Sequence, residues 1–238
     1  MCGREASFYT WREVVEFSRP LRLSTPSAEP TPNYNRAPSQ KAWVLIAQED
    51  DICARELTWG LVPAWASAAL APRSTSTSAK KLTPSVNARV ETAPDKPSFR
   101  DSWKHRRCLI PSSGYYEWQQ YARKQPYFIR AAHARILMYA GIWDYNESLG
   151  LRSYCILTQP AQGPIARIHD RMPVMLSQEL LRDWLYCASN DAVRLVQELT
   201  PPKLEFYPVS LAVGNVRNQG SNLIEKVEPV ISGDLFAN

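Results

Sequence analysis

The fold is decided by the stretch RCLIPSSGYYEW, which occupies residues 107–118. It holds two strand-like runs, Arg107–Ile110 and Tyr115–Trp118, rich in aliphatic and aromatic residues. Only a short link separates them. We therefore interpret the stretch as two successive β-strands.

Similar strand-like runs lie on both sides of residues 107–118. They cover Ala42–Ala47, Cys53–Trp59, Tyr127–Arg130, Ile136–Trp143, Ser153–Leu157, Leu204–Val209 and Leu211–Val216. Because β segments are many and βαβ alternations are few, a strongly curved mixed or antiparallel sheet is favoured. The sequence predicts an α+β fold: a single domain, residues 1–238, built on a strongly curved, barrel-like mixed β-sheet with peripheral helices.

Helical spacing appears towards the two ends of the chain. Apolar residues recur at helical intervals in Phe8–Phe17, in Gln178–Tyr186 and across 192–199. Five prolines between positions 20 and 38 favour an irregular, extended crossing. Residues 66–85 are low in complexity and favour a solvated surface loop, with a mobile flap that touches a phosphate backbone as the alternative.

Composition excludes several classes of protein. The net charge of +5 is compatible with an anionic partner such as nucleic acid but does not require one. Five scattered cysteines without a CxxC pair argue against a disulfide framework and for a reducing, cytoplasmic compartment. His105 and Cys108 lack a second pair of metal ligands, so no metal site is predicted. No apolar run is long enough to span a bilayer, and no signal peptide is recognisable.

Cys2 is the most informative single residue for function. Removal of Met1 would leave it with a thiol and a free α-amine on neighbouring carbons. An α-amine has a pKa of about 7.7–8, so roughly a tenth of it is nucleophilic at neutral pH. A 1,2-aminothiol condenses with an aldehyde through nitrogen and then closes a thiazolidine ring through sulfur. Alternatively, the thiol alone attacks an acyl carbon, as in N-terminal-nucleophile amidases.

Four motifs accompany Cys2 in a fixed order. They are MCGR at 1–4, NARVE at 87–91, the block at 107–118 and HDRMPV at 169–174. Together they resemble the SRAP family (SOS response-associated peptidases), and the resemblance runs from Cys2 to about Val216. It implies an α+β domain around a curved, barrel-like sheet. It further implies a protein that removes its own Met1 and links Cys2 to the ring-opened aldehyde of an abasic site in DNA.

The resemblance assigns catalytic roles to four residues. Cys2 is the nucleophile through amine and sulfur, and Asn87 hydrogen-bonds near the sugar or the Cys2 backbone. Glu117 shuttles protons, and its aromatic neighbours are expected to raise its pKa. His169 is the second acid–base group.

Further residues match the family's DNA contacts. Arg4, Arg89 and Arg171 would bind phosphates, and a cluster of them near Cys2 would favour the thiolate. Trp65 and Pro38 resemble an aromatic and apolar wall against stacked bases, and Thr158 a sugar or phosphate contact. The implied partner is single-stranded DNA with abasic sites, bound regardless of sequence by a monomer that needs no cofactor, metal or membrane.

This chain departs from the family pattern at two places. Glu5-Ala6-Ser7 follows MCGR where many relatives have an aromatic residue at once, and Gln159 stands where a second Thr is frequent. Three alternatives stay open: a glutamine amidotransferase or related amidohydrolase, a peptidase acting on other proteins, and a non-catalytic single-strand binder. The favoured hypothesis requires Cys2 to border a pocket instead of packed apolar interior.

Overall fold

The computed structural model describes residues 2–48, 51–66, 83–119 and 125–229. The strands are β1 (Glu5–Ser7), β2 (Leu23–Ser24), β3 (Asn33–Arg36), β4 (Lys41–Gln48), β5 (Asp51–Trp59), β6 (Asn87–Arg89), β7 (Arg107–Ser112), β8 (Gly114–Trp118), β9 (Pro126–Ala131), β10 (Leu137–Asn146), β11 (Leu151–Pro160), β12 (Arg171–Pro173), β13 (Met175–Leu176) and β14 (Leu204–Pro208). The helices are α1 (Trp11–Phe17), α2 (Arg100–His105), α3 (Leu181–Tyr186) and α4 (Ser189–Glu198).

Five strands close into a barrel in the order β11-β10-β7-β4-β5. Four of the five contacts around the ring are antiparallel, whereas β5 and β11 pair in parallel at Ser153↔Thr58 and Tyr154↔Trp59. The prediction of a barrel-like mixed sheet is therefore confirmed. Gly141 of β10 allows close packing inside the barrel, because a Cβ there would lie 2.2 Å from the Ile110 side chain and 2.9 Å from the Cys155 carbonyl oxygen.

A second sheet carries the amino-terminal segment. Its order is β14-β9-β8-β1-β3, so β1 lies between β3 and β8. The block at 107–118 joins the two sheets, since β7 belongs to the barrel and β8 to the second sheet. This link brings the start of the chain to the barrel.

The helices pack against the outside of the barrel. Their buried side chains share one cluster with outward-facing barrel residues such as Leu45 and Leu109. The guanidinium of Arg107 fixes α2 and α3 to β7, because it donates to the carbonyls of Trp103 at 2.9 Å and Trp184 at 2.6 Å. A separate cluster fills the barrel interior and includes Trp59, which has no exposed surface.

Most predicted elements are present with shifted ends. The first helix begins at Trp11 instead of Phe8, because Thr10 and Glu13 form a capping box. The strand predicted over Leu211–Val216 is wrong: residues Leu211–Gly214 form a 3₁₀ turn, which Ser210 caps at the Ala212 N–H. The irregular crossing at 20–38 contains β2 and β3, so that prediction was only partly right.

One predicted segment falls largely outside the described chain. Residues 67–82, most of the low-complexity segment, lie outside the described residues. No described helix is long and apolar enough to cross a membrane. Within the described ranges, no three His, Cys, Asp or Glu side chains are grouped as metal ligands.

Candidate active site

The amino-terminal segment is held by backbone and side-chain hydrogen bonds on several sides. Asn87, at the start of β6, donates from Nδ2 to the Cys2 carbonyl at 2.8 Å. The Arg4 carbonyl accepts from the Tyr116 N–H at 2.9 Å, and the Ala6 carbonyl from the Ser113 N–H at 2.9 Å. Two predicted site residues, Cys2 and Asn87, are thus in direct contact, because β6 pairs with β11 of the barrel.

Cys2 has no exposed surface and belongs to the cluster that fills the barrel interior, with Tyr115 and Tyr139. The requirement that Cys2 border an open pocket is therefore not met in the chain that carries Met1. The reason is the pairing of β1 on both edges, which draws the preceding residues under the sheet.

The electrostatic surroundings of Cys2 also differ from expectation. Burial raises the pKa of the Cys2 thiol well above its ordinary value, and the carboxylates of Glu117 and Glu5 raise it further. The sequence had predicted a thiolate favoured by clustered arginines, which is wrong. Desolvation and two negative charges favour the neutral thiol.

Glu117 lies two residues after Tyr115 on β8, so both side chains point to the same face of the strand. Only 3% of Glu117 is exposed. Burial raises its pKa to about 7, which confirms the expected direction. A carboxyl group that titrates near neutrality can both accept and return a proton during a reaction at physiological pH.

His169 precedes β12 and is half-buried, and burial lowers its pKa. Its Nδ1 lies 3.0 Å from the Arg171 N–H and 2.7 Å from Asp170 Oδ1. The neutral ring accepts the Arg171 hydrogen bond, whereas a protonated ring would donate to Asp170. His169 therefore has a partner for each protonation state, as an acid–base group needs.

The three predicted phosphate-binding arginines have different environments. Arg89 is exposed at the end of β6. The Arg4 guanidinium donates to Asn35 Oδ1 at 2.7 Å and to the Val213 carbonyl at 2.9 Å. Arg171 is buried and forms a bidentate salt bridge with Glu91, at 2.6 and 2.9 Å. Two of the three thus bind protein groups, and this salt bridge ties the NARVE and HDRMPV motifs together.

The remaining predicted DNA contacts also differ in accessibility. Trp65 is 60% exposed, and its indole N–H reaches the Pro97 carbonyl at 3.4 Å. Pro38 is half-buried in the turn between β3 and β4. Thr158 is fully buried on β11, where its hydroxyl lies 3.5 Å from the Ala88 carbonyl. Trp65 is the one of these three with a large open face.

Comparison with known proteins agrees with this arrangement of motifs. A family model described as SOS response associated peptidase (SRAP) matches residues 1–216. The chain belongs to the SRAP family. The match spans all four motifs, and the structure brings residues from each of them to the amino-terminal segment or to the strands beside it.

Curated SRAP relatives are similar over most of their length. The abasic site processing protein YoqW of Bacillus subtilis is 32% identical, covering 94% of this chain and 99% of the relative. YedK of Escherichia coli, described in the same words, is 31% identical over 95% of this chain and 100% of its own. The mouse protein HMCES, also described as an abasic site processing protein, is 30% identical over 85% of this chain and 69% of its own.

Solved structures share the SRAP fold. A crystal structure of a protein from Bordetella bronchiseptica superposes with a TM-score of 0.71 at 24% identity, covering 88% of this chain and 100% of that one. A protein from Bacteroides thetaiotaomicron gives a TM-score of 0.70 at 23% identity, covering 95% of this chain and 100% of the other. At this identity the likeness concerns the fold alone.

Two buried residues of the site region were not predicted as functional. Glu5 and Arg36 form an ion pair of 2.8 Å between β1 and β3, with side chains 0% and 6% exposed. In the sequence, Glu5 could have been noticed because Glu5-Ala6-Ser7 departs from the family pattern after MCGR. Its partner Arg36 could not be identified without the pairing of β1 with β3.

Proposed function

We propose that this SRAP protein processes abasic sites in DNA by attaching itself covalently, through mature Cys2, to the lesion in a single strand. The observation that carries the proposal is the hydrogen bond from Asn87 to the Cys2 carbonyl beside the buried Glu117. The names of the relatives support the class of substrate. The aminothiol chemistry of Cys2 supports the covalent step.

The reaction conserves atoms as follows. The α-amine of Cys2 attacks C1′ of the ring-opened deoxyribose, and the carbonyl oxygen leaves as water after taking up protons. The sulfur then adds to C1′ of the imine, and its proton passes to nitrogen to close the thiazolidine. Glu117 exchanges protons with the amine, and His169 assists the opening of the sugar. Holding amine, thiol and aldehyde together replaces an effective concentration of about 10⁵ M or more.

Access to Cys2 is part of the proposal. Self-directed removal of Met1 creates the α-amine, which is otherwise a peptide nitrogen. Residues 2–4 precede β1, so an outward shift of this segment leaves β1 in the sheet but breaks the hydrogen bonds of the Cys2 carbonyl with Asn87 and of Arg4 with its neighbours. The sugar then enters from the side of the barrel where Asn87 and His169 lie.

DNA contacts follow from exposure and charge. Arg89 supplies an exposed cation two residues after Asn87 on β6. Trp65 supplies an exposed aromatic face on which any base can stack. Arg4 and Arg171 remain candidate phosphate contacts through donors beyond those already engaged, and Thr158 remains a candidate sugar or phosphate contact. Pro38 remains a candidate apolar contact for stacked bases. Stacking without base readout suits a lesion that occurs in any sequence.

The test is mass spectrometry of the mature protein incubated with a single-stranded oligonucleotide carrying one abasic site. We expect a denaturation-resistant species with the summed mass less one water. A control protein that keeps an uncleaved residue before Cys2 has no free α-amine at Cys2 and should form no such species. Hydrolysis of glutamine or of an unrelated peptide without any DNA adduct would support the competing amidohydrolase or peptidase function.

Trp65 should contribute to binding of the DNA and not to the chemistry. We expect Trp65→Ala to weaken binding of single-stranded DNA by about 1–3 kcal/mol, the usual contribution of one stacked base. The matched control is Tyr186→Ala, because Tyr186 is also exposed, at 42%, but lies on α3 outside the barrel. Fluorescence anisotropy measures both, and equal losses in the two variants would contradict the stacking role.

A further inference from the structure

The turn that carries Trp65 is bonded to the end of β10. Residues 63–66 form a turn that is closed by the Ala66 N–H, which donates to the Pro63 carbonyl at 3.0 Å. Asn146, the last residue of β10, donates from Nδ2 to the carbonyls of Pro63 and Ala66, each at 2.7 Å. Two carbonyls of the turn thus converge on one amide side chain that has no exposed surface.

The Asn146 amide is bonded at both ends. Its Nδ2 donates to the turn, and its Oδ1 accepts from the Ser148 hydroxyl at 2.8 Å and from the Leu149 N–H at 3.0 Å. The bond from Leu149 fixes which end of the amide is oxygen, because a backbone N–H can only donate. The amide cannot rotate without breaking these bonds, so the turn is held in one position relative to β10.

A second contact to the turn comes from Asp144, two residues before Asn146 and on the same face of β10. Asp144 Oδ2 accepts from the Ala64 N–H at 2.9 Å, and only 3% of Asp144 is exposed. Its Oδ1 accepts from the Tyr145 N–H at 2.9 Å and lies 3.4 Å from Arg106 Nη1. Hydrogen bonds to a carboxylate are stronger than those between neutral groups. The turn is therefore bonded to β10 through both its N–H and its carbonyl groups.

The turn is also connected to the segment that carries Asn87. Leu61, just before the turn, forms a strand bridge with Ser85, and both backbone hydrogen bonds of this bridge are present, at 2.9 and 3.0 Å. Ser85 lies two residues before Asn87, which donates to the Cys2 carbonyl. The backbone that supports Trp65 is thus continuous, through one bridge, with the backbone that supports the reactive end of the chain.

We propose that Asn146, assisted by Asp144, is a positioning residue for DNA binding: it holds the turn at 63–66 so that the Trp65 indole is in place before a base stacks on it. The inference rests on the proposed function, in which Trp65 is the stacking surface. An indole that is 60% exposed gains little from its own packing, so its position depends on the backbone beneath it. A ring that is already ordered loses less conformational entropy when a base binds.

The first measurement needs no DNA. The ¹⁵N–¹H NOE of the Trp65 indole, assigned from the loss of its signal in Trp65→Phe, reports the fast motion of the ring. In the wild type it should equal that of a buried indole such as Trp59. In Asn146→Ala it should fall towards the values of mobile side chains, and the Ala66 amide should exchange with solvent about tenfold faster or more, because the turn opens locally. An unchanged NOE in folded Asn146→Ala overturns the proposal.

A second variant decides the question if Asn146→Ala does not fold. Asp144→Ala removes the acceptor of the Ala64 N–H and leaves Asn146 in place, so the Trp65 NOE should again fall. Because Asp144 also faces Arg106, the matched control is Asp101→Ala, which removes the other carboxylate beside Arg106, at 2.5 Å, from α2. The control should keep the wild-type NOE. An equal fall in Asp101→Ala would assign the effect to Arg106 and contradict the role of Asp144.

A double-mutant cycle tests the effect on DNA binding, because two residues that act through one contact give non-additive losses. Asn146→Ala should weaken binding of single-stranded DNA by about two- to tenfold, the usual cost of ordering one large side chain on binding. In a Trp65→Ala background it should cause no further loss, and equal losses in both backgrounds contradict action through Trp65. If Trp65→Ala alone leaves binding unchanged while the NOE falls in Asn146→Ala, stacking on Trp65 fails as part of the proposed function, but the ordering of the turn by Asn146 stands.

Discussion

Cys2→Ala is expected to abolish the denaturation-resistant complex with abasic single-stranded DNA, with no detectable adduct remaining. The alanine variant keeps the α-amine but has no sulfur, so any imine it forms hydrolyses when the protein is denatured. Cys2→Ser should likewise give no stable adduct, yet borohydride should trap its imine. Denaturing electrophoresis with and without borohydride measures the two steps separately.

Two results would contradict this account of Cys2. A stable adduct in Cys2→Ala would assign the linkage to another nucleophile, such as a lysine. A loss of equal size in Cys187→Ala would indicate a general requirement for reduced cysteines, since Cys187 lies on the helical side of the barrel, at the end of α3. We expect the Cys187 variant to react at the wild-type rate.

Glu117→Gln is expected to slow adduct formation by about 10²–10⁴-fold, the usual contribution of a positioned acid–base group. Because the pKa of Glu117 is raised to about 7, its carboxylate form appears as the pH rises through neutrality. The wild-type rate should therefore rise across that range. In the glutamine variant this rise is lost, and the remaining dependence follows the α-amine, near pH 8.

Single-turnover rates measured from about pH 5 to about pH 9 test this difference, because the range brackets the pKa of Glu117 and that of the α-amine. DNA affinity is determined in parallel. The matched control is Glu205→Gln on β14 of the same sheet, where the carboxylate is exposed. A Glu117→Gln variant that loses affinity and rate to the same degree, with an unchanged pH profile, would show that Glu117 is structural.

The same substitution should also change the free energy of unfolding. The folded-state pKa of Glu117, about 7, lies above its unfolded value of 4.5, so the folded protein binds the proton more tightly. Protonated Glu117 therefore contributes about 3 kcal/mol to the free energy of unfolding at low pH. This contribution is lost as the pH rises from about 4.5 to about 7, and it is absent at higher pH. Denaturant unfolding should show Glu117→Gln to be less sensitive to pH in this window, and an identical dependence in both proteins would contradict the raised pKa.

The sequence predicted the elements whose local pattern is strong. The strands of the barrel were identified because their apolar runs are long, and α1 because its apolar residues recur at helical spacing. Short strands such as β1 and β6 were missed, since three residues carry too little pattern. The 3₁₀ turn at Leu211–Gly214 was mistaken for a strand because a short apolar run does not distinguish the two.

The site shows the same division. Cys2, Asn87, Glu117 and His169 were named from motifs, and the raised pKa of Glu117 followed from its aromatic neighbours in sequence. The internal partners of Arg4 and Arg171 could not be predicted, because Asn35, Val213 and Glu91 lie far away along the chain. The burial of Cys2 was also missed, since it depends on how β1 enters the sheet.

By itself, then, the sequence determined which groups are available: a cysteine at position 2 that loss of Met1 would make a terminal aminothiol, the proposed acid–base residues Glu117 and His169, and the β-rich chain that carries them. Only the tertiary structure decided the state of those groups. It placed the Cys2 thiol in a compartment with two carboxylates, turned two arginines towards protein partners and left Trp65 exposed. The physical reason is that desolvation and charge–charge interaction depend on distances between strands that are remote in sequence, which no local pattern encodes.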